Sequence, residues 1–423
     1  MHVAIIGSGI AGMVSAWTLH NAGHAVTVYE AGSYIGGHTN TVPVMLAGKS
    51  YAIDTGFIVF NDWTYPNFIR LLNIIGVASK PTTMSFSVRD ARSGLEYNGA
   101  SLNTLFAQRR NLLRPSFYRM IRDILRFGRE APALLGGDDH QLTLGEYVDQ
   151  QKYSPQFIEH YLLPMGGAIW SAGTAAMRQF PARYFVQFFK NHGMLSVDAR
   201  PQWRVVEGGS WNYAKVLVAP FRDRIRLNTS VQSISRHAQG VTVVADGKAE
   251  RFDHVVIAAH GDQALSLLSD PSVAETEILS GFTYTRNEAV LHTDVGVMPR
   301  RRRAWAAWNY HLTGEENAPV PVTYDMNALQ GIDAPERFLV TLNPPIGLAP
   351  ERVLRRIHYQ HPHYSLAAVK SQSRWKEING VNRTYFCGAY WGYGFHEDGV
   401  VSALKVAEQF GVGLPERISL SQS

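Results

Sequence analysis

Residues 2–30 read HVAIIGSGIAGMVSAWTLHNAGHAVTVYE, and this stretch decides the fold. The apolar run His2–Ile6 predicts a buried strand, and the helical spacing of Met13–Asn21 predicts a helix. A second apolar run, Ala25–Tyr29, predicts another strand, which ends at Glu30. The order strand, glycine turn, helix, strand, acid is typical of a nucleotide-binding βαβ unit.

The glycines of the first turn have separate physical tasks. One allows a tight turn, one lets the backbone approach a pyrophosphate, and one lets the helix pack closely on the strand. Amide groups at the positive end of the helix would hold the phosphates, and the acid would bind the ribose. The nucleotide contacts predicted here are Gly7, Gly9, Ile10, Ala11, Gly12, Glu30 and Ala31.

Composition limits the compartment and the kind of site. The chain has 423 residues and a single cysteine, Cys387, which excludes a disulfide framework and a cysteine-rich metal site. We therefore expect no metal and a cytoplasmic location. Since no run reaches the roughly 18 to 20 apolar residues that span a bilayer, any membrane contact would be peripheral.

The pattern along the chain predicts two discontinuous domains in an α/β protein. Residues 1–63, 201–280 and 371–423 would form the nucleotide-binding domain. Residues 64–200, where helical patterns dominate, and residues 281–370, which hold strand candidates, would form a second, α+β substrate domain. Its strand candidates are Ala289–Thr293, Ala304–Tyr310, Val320–Tyr324 and Phe338–Leu342.

Further motifs resemble the flavin-containing amine oxidase and phytoene desaturase superfamily. They are Gly36-Gly37-His38-Thr39, Asp54-Thr55-Gly56 and the segment from Phe386 to Gly399. The resemblance implies a Rossmann-type, glutathione-reductase-like domain that binds FAD. The cofactor contacts that it implies are Gly36, Gly37, His38, Thr39, Thr55, Gly56, Phe57, Val231, Gly388, His396, Asp398, Gly399 and Val400.

A narrower resemblance lies within that superfamily. Asp54–Asn61, Tyr161–Met165, Ile169–Ser171 and Gly394–Gly399 are similar to a bacterial group labelled predicted NAD/FAD-binding amine oxidase. That group accompanies methyltransferases of the cyclopropane fatty-acid synthase type. The resemblance implies an acyl-lipid substrate and a lipid methyltransferase as partner.

The expected reaction is hydride abstraction from an acyl chain, either desaturation or a related redox step. Amine oxidases that resemble this fold commonly carry a lysine near the flavin, but no lysine occurs between Lys248 and Lys370. The corresponding stretch is Arg286–His292. Two alternatives stay open: a flavin-containing amine oxidase, and an FAD-bound accessory protein of a methyltransferase without turnover of its own.

The sequence offers several candidates for the reacting end of the site. His396, Tyr393 and His292 are the candidate catalytic bases, because each side chain can accept a proton in a suitable state. Aromatic residues near the C-terminal glycine loop and on one strand of the second domain would line a pocket. The predicted substrate contacts are Tyr310, Trp391, Tyr393 and Phe395.

Positive charge is concentrated between Arg89 and Arg129, where the chain has nine arginines and three acidic residues. Residues 116–130 have helical spacing, with apolar side chains on one face and arginines on another. Such a helix could bind an anionic membrane surface, or it could pack on the core with its basic face in water. Arg300–Arg303 form a second basic cluster, but no nucleic-acid-binding module accompanies it, so nucleic acid is not an expected partner.

Overall fold

The computed structural model describes residues 1–137, 139–196, 199–314, 321–344 and 347–415. Its first sheet has five strands, all parallel. These strands come from the three segments predicted for the nucleotide-binding domain, and the predicted fold class is confirmed. The order across the sheet is β10 (Ile225–Arg226), β2 (Ala25–Tyr29), β1 (His2–Ile6), β14 (His254–Ile257) and β20 (Thr384–Phe386).

Helices and a small sheet cover the two faces of this parallel sheet. Helices α1 (Ile10–Asn21) and α15 (His396–Gln409) pack together on one face around the buried Trp17. The other face is covered by three antiparallel strands, β11 (Val231–His237), β12 (Gly240–Ala245) and β13 (Lys248–Phe252). Because both faces are covered, β1 consists almost wholly of buried apolar residues.

A second sheet of the structure has seven strands and is mixed. Its order is β19 (Val353–His363), β15 (Thr283–His292), β18 (Leu339–Leu342), β17 (Val322–Asp325), β16 (Trp308–Leu312), β7 (Phe86–Asp90) and β8 (Glu96–Asn98). β16 pairs with β7 in parallel, and the other neighbours are antiparallel.

Two details of this sheet differ from the sequence-based predictions. The strand predicted from Ala304 begins only at Trp308, because residues 302–304 form a 3₁₀ turn. Residues 64–200 are not only helical, since they also contribute β7 and β8. Val320, the predicted start of β17, lies outside the described residues.

The remaining strands form a hairpin and a small sheet beside the first domain. The hairpin pairs β3 (Thr41–Leu46) with β4 (Lys49–Asp54). The small sheet has the order β5 (Phe60–Asn61), β9 (Trp203–Val206) and β6 (Ser79–Thr82).

Several helices begin at residues with recognisable start signals. Thr143 and Glu146 form a capping box, and Pro66 lies in a first turn. Within the described residues, we find no helix with the length and apolar character needed to cross a bilayer. The other helices are α2 (Pro66–Ile74), α3 (Leu102–Leu105), α4 (Pro115–Glu130), α5 (Leu144–Gln150), α6 (Pro155–Phe157), α7 (Leu163–Trp170), α8 (Thr174–Arg178), α9 (Ala182–Asn191), α10 (Trp211–Val218), α11 (Gly261–Leu267), α12 (Val273–Leu279), α13 (Met326–Gln330) and α14 (Leu366–Ser373).

Helix α4 packs its apolar face in the core. Phe117, Met120 and Phe127 are buried against the second domain, while Leu125 is half exposed. The apolar face of residues 116–130 therefore packs mainly against protein. Binding of this helix to an anionic membrane stays a prediction.

Candidate active site

A cavity of about 720 Å³ extends from the carboxyl ends of the parallel strands to the seven-stranded sheet. The turns after β1, β2, β14 and β20 line one end, and side chains of β16 to β19 line the other. Ligands of open parallel sheets bind at this edge. The predicted cofactor residues that line the cavity are Gly7, Gly9, Ile10, Ala11, Glu30, Ala31, Gly37, His38, Thr55, Gly56, Phe57, Val231, Gly388 and His396.

The glycine turn after β1 and the turn at Gly36 and Gly37 lie close together at the end of the cavity where we expect the nucleotide. A side chain at Gly9 would meet no atom within 4 Å, so this backbone borders open space. A Cβ at Gly37 would lie 3.3 Å from the Gly9 Cα. Helix α1 begins at Ile10 without a side-chain cap, so its first amide groups are available to a ligand. This arrangement fits a pyrophosphate.

Glu30 is fixed at the end of β2. Its Oε2 accepts hydrogen bonds from the Ser8 amide at 2.9 Å and the Ser8 hydroxyl at 2.6 Å, and its Oε1 accepts from the Gly32 amide at 2.7 Å. The carboxylate is thus oriented beside the glycine turn before any ligand binds. It can still accept from ribose hydroxyls, because each carboxylate oxygen has two lone pairs.

Three predicted cofactor glycines support the cavity without lining it. A Cβ at Gly12 would lie 2.0 Å from the Gly7 carbonyl oxygen, so Gly12 permits the close approach of α1 to β1. A Cβ at Gly399 would lie 2.6 Å from Ile10 Cγ2, so Gly399 lets α15 approach α1. Gly36 adopts φ +122° in the turn that positions Gly37. None of the three lines the cavity, and their contact with the cofactor stays a prediction.

Three further cofactor candidates also lie outside the cavity. Thr39 is buried and bonds the Tyr213 hydroxyl. The Asp398 carboxylate accepts the Phe395 amide at 2.9 Å and caps helix α15, so its side chain faces the helix start. Val400 is fully buried in the core beneath α1. These side chains build the scaffold behind the wall, and their direct contact with the cofactor stays a prediction.

His396 lines the cavity but has little capacity as a base. Its Nε2 bonds the hydroxyls of Thr39 at 3.0 Å and Tyr213 at 2.9 Å, and its ring stacks on Phe57 with centroids 3.5 Å apart. Burial lowers the pKa of His396 to about 3. The imidazole is therefore neutral at physiological pH and weakly basic, which suits a positioning role.

Of the other candidates at the reacting end, two line the cavity and three do not. Tyr393 and Phe395 lie on the wall, and burial raises the pKa of Tyr393 to about 12. His292 is fully buried elsewhere, with its ring nitrogens bonded to the Thr341 hydroxyl and the Asp294 amide.

Tyr310 and Trp391 also lie outside the cavity lining. Tyr310 is buried beneath α7, where a Cβ at Gly167 would lie 3.1 Å from its hydroxyl. Trp391 packs on Phe282 with ring centroids 5.0 Å apart. Tyr310, Trp391 and His292 each pack against or bond to other protein groups. None of the three is part of the cavity lining.

Strand β19 also lines the cavity, which the sequence patterns above did not predict. At its carboxyl end, Tyr359, Gln360 and His361 line the cavity, and the His38 ring stacks on Tyr359 at 4.8 Å. Burial lowers the pKa of His361 to about 4 and places that of His38 well below its ordinary value. The run YQHPHY, residues 359–364, was the available signal, because imidazole and phenol rings rarely concentrate so strongly at one strand end.

Free polar atoms on the wall show that a ligand fits there. His38 Nε2 and the Tyr364 hydroxyl are buried, and neither has a hydrogen-bond partner among the described residues. Buried polar atoms are rarely left unsatisfied in folded proteins. Together with the glycine cradle at Gly9, they fit a bound dinucleotide with a polar ring system.

Comparison with known proteins agrees with this geometry. Residues 10–299 match the sequence profile of the flavin containing amine oxidoreductases. The chain belongs to this family. It is an FAD-dependent oxidoreductase. We expect its cofactor to bind along the cavity described above.

Individual relatives are distant. A putative flavin-containing monoamine oxidase of Mycobacterium tuberculosis is 24% identical over 350 residues, which are 77% of this chain and 70% of that protein. Cyclohexylamine oxidase from Brevibacterium oxydans has a similar structure, with a TM-score of 0.71 and 16% identity over 97% of this chain and 99% of that one. A fatty acid isomerase from P. acnes has a TM-score of 0.69 and 16% identity, covering 96% and 98%.

We expect FAD to be held without a covalent bond. Cys387 is fully buried, lies outside the cavity, and has a pKa that burial raises to about 12, so it is not a thiolate near the ring. Acid precipitation of the yellow protein should release all flavin into the supernatant. Flavin that stays with the pellet would contradict this prediction.

Proposed function

We propose that the enzyme abstracts hydride from an unsaturated or methylated acyl chain of a membrane lipid, in a desaturation or related redox step. One observation carries the proposal. Among the described residues that line the cavity, Glu30 is the only Asp, Glu, Lys or Arg, and it lies at the nucleotide end. Burial lowers the pKa of each lining histidine, namely His38, His260, His361 and His396.

The cavity lining outside the glycine turns is mainly aromatic and aliphatic, and it also includes the polar side chains of Ser171, Gln360 and His361. An amine substrate is a cation at neutral pH, and its burial there would lack a carboxylate partner. An acyl chain needs only apolar contact and alignment. The aromatic and aliphatic lining residues there include Tyr65, Ile169, Trp170, Trp203, Trp308, Tyr324, Leu342, Tyr364, Tyr393 and Phe395.

Two acidic residues near the cavity are already hydrogen-bonded to other protein groups. Asp54 is fully buried and accepts from Thr41, Ser210 and Gln330, and the Asp398 carboxylate caps α15. Strand β15 contributes Tyr284 to the lining, but no residue of 286–292, the stretch that corresponds to the lysine strand of amine oxidases. The amine oxidase alternative therefore has less support than the acyl-chain reaction.

The chain's own residues would bind and orient the substrate. FAD, when bound, supplies the hydride acceptor. The amino-terminal end of α15, at His396, would place a positive dipole end beside the cofactor and favour its anionic reduced form. Tyr393 and Phe395 would pack against the acyl chain. Neither His396 nor Tyr393 has the pKa of a base at neutral pH, so we assign both to positioning. In a desaturation, the hydride would pass to the flavin and the proton lost from the adjacent carbon would pass to water.

The likeness to the fatty acid isomerase supports the proposal at the level of fold, because an enzyme described as acting on a fatty acid is built on the same architecture. The methyltransferase partner implied by the sequence resemblance belongs to the same proposal. It would supply a methylated acyl chain as the substrate.

The test is anaerobic mixing of the oxidised holoprotein with candidate substrates. We expect phospholipid with monounsaturated or methylated chains to bleach the flavin absorbance, and cyclohexylamine or putrescine to leave it unchanged. Saturated phospholipid serves as the matched control. Reduction by an amine alone would support the amine oxidase, and reduction by none of these would support the accessory protein.

A further inference from the structure

An exposed apolar turn precedes helix α4. Residues 109–113 form a 3₁₀ turn, in which the Leu113 side chain is 88% exposed and that of Leu112 is 47% exposed. Tyr118, on the first turns of α4, is also 47% exposed. These residues, with Arg119 and Arg122, border a shallow groove; we call the five together the α4 surface.

The fold holds these apolar side chains outward on an ordered base. Asn111, within the turn, is fully buried, and the Tyr118 hydroxyl donates to the Leu112 carbonyl at 3.1 Å. The Tyr118 ring lies 6.0 Å from that of Phe106. Adjacent exposed leucines on a fixed turn are unusual in a soluble surface, and they indicate a binding role.

The charge around this surface is of one sign. Residues 102–122 contain five arginines and no acidic residue. Arg109 and Arg110 donate to neutral oxygens of Asn103, Phe106 and Gly94, so their charge is not compensated by these contacts. A basic ring around exposed leucines complements an anionic surface with an apolar layer beneath it.

The nearest acid does not neutralise this surface. Asp123 is buried, accepts the Ser154 amide at 2.9 Å, and lies 3.6 Å from Arg122 Nε, where it offsets part of one charge. Further along α4, Arg126 pairs with Glu130 and lies over the Tyr153 ring. The amino-terminal turns of α4 and the turn before them are therefore the end of this segment where acidic side chains offset the positive charge least.

We propose that the α4 surface docks the enzyme on membranes that contain anionic phospholipid. Leu112 and Leu113 enter the interface, while Arg119 and Arg122 contact lipid phosphates. The proposal does not depend on which substrate the active site uses, since vesicle binding is measured without turnover.

The experiment is co-sedimentation of the holoprotein with phosphatidylglycerol-containing vesicles at about 0.05 and 0.5 M salt. Leu112→Ser with Leu113→Ser should weaken binding at least tenfold at both concentrations, because each leucine that no longer enters the interface loses its free energy of apolar burial. Arg119→Gln with Arg122→Gln should weaken binding about tenfold at low salt and little at high salt.

Two control variants change exposed residues elsewhere. Val273→Ser with Leu354→Ser matches the loss of apolar surface, and Arg251→Gln with Arg355→Gln matches the loss of charge. Both should bind like the native protein. Equal binding to neutral phosphatidylcholine vesicles would overturn the proposal, as would native-level binding by the leucine or the arginine variant. Such results would leave the flavin assignment and the substrate untouched.

Discussion

Gly9→Val is expected to fold normally and to lose at least about 100-fold in FAD affinity, because the new side chain would fill the space that the pyrophosphate must enter. The backbone at Gly9 has φ −65°, which any residue adopts, and no atom lies within 4 Å of an added Cβ. The substitution should therefore leave the apoprotein intact. Flavin content after purification and circular dichroism measure the two effects separately.

A neighbouring glycine provides the matched control. A Cβ at Gly12 would lie 2.0 Å from the Gly7 carbonyl oxygen, so Gly12→Val should disrupt the packing of α1 on β1 and the fold itself. Glu30→Gln should fold and lose less FAD than Gly9→Val, because its amide can still bond a ribose hydroxyl. A Gly9→Val protein with full flavin content would show that the nucleotide lies elsewhere.

Acidification is expected to destabilise the protein strongly below about pH 6.5. Burial lowers the pKa of five histidines from 6.5 to about 3 or 4, namely His192, His292, His311, His361 and His396. Below pH 6.5 the unfolded chain protonates these rings, whereas the folded chain does not. Their contribution to stability is thus present above pH 6.5 and is lost as the pH falls toward 4.

Two buried carboxyl groups oppose this effect. Burial raises the pKa of Asp54 to about 6 and that of Asp398 to about 7, so the folded state holds their protons more tightly than the unfolded chain does. Acidification from pH 7 to pH 4 therefore favours folding at these two sites. The five histidines outweigh the two carboxyl groups, so unfolding near pH 5.5 should take up about two to three protons. The free energy of unfolding should therefore fall by about 3 kcal/mol for each unit by which the pH decreases.

Thermal unfolding with saturating FAD at pH 7.5, 6.5 and 5.5 measures this dependence. His292→Gln should flatten it by about one proton, since His292 is buried outside the cavity. His237→Gln, at an exposed position, should leave it unchanged. A melting temperature that stays constant over this range would contradict the buried neutral histidines.

Local signals predicted the nucleotide domain well. The strands β1 and β2 and the capping box at Thr143 follow from hydrophobic period and cap chemistry, which are properties of neighbouring residues. Strands β7 and β8 were missed inside a helical segment. β7 pairs with β16, more than 200 residues away, and such distant pairing leaves no local period to detect.

The candidate site divides along the same line. Gly9, His38 and Phe57 belong to the sequence motifs named above, and all three line the cavity. Others from the same motifs, such as Thr39 and Asp398, face inward, because which side of a turn meets the cavity depends on tertiary packing. His361 was missed because β19 reaches the cavity only through the order of the second sheet.

A single anaerobic turnover measures whether the bound flavin oxidises an acyl chain. Stoichiometric phospholipid with monounsaturated or methylated chains is mixed with oxidised holoprotein, and the lipid is recovered for mass spectrometry. We expect one reduced flavin for each acyl chain that has lost two hydrogen atoms. Oxidised flavin beside unchanged lipid, under conditions in which an amine reduces the same preparation, would contradict it.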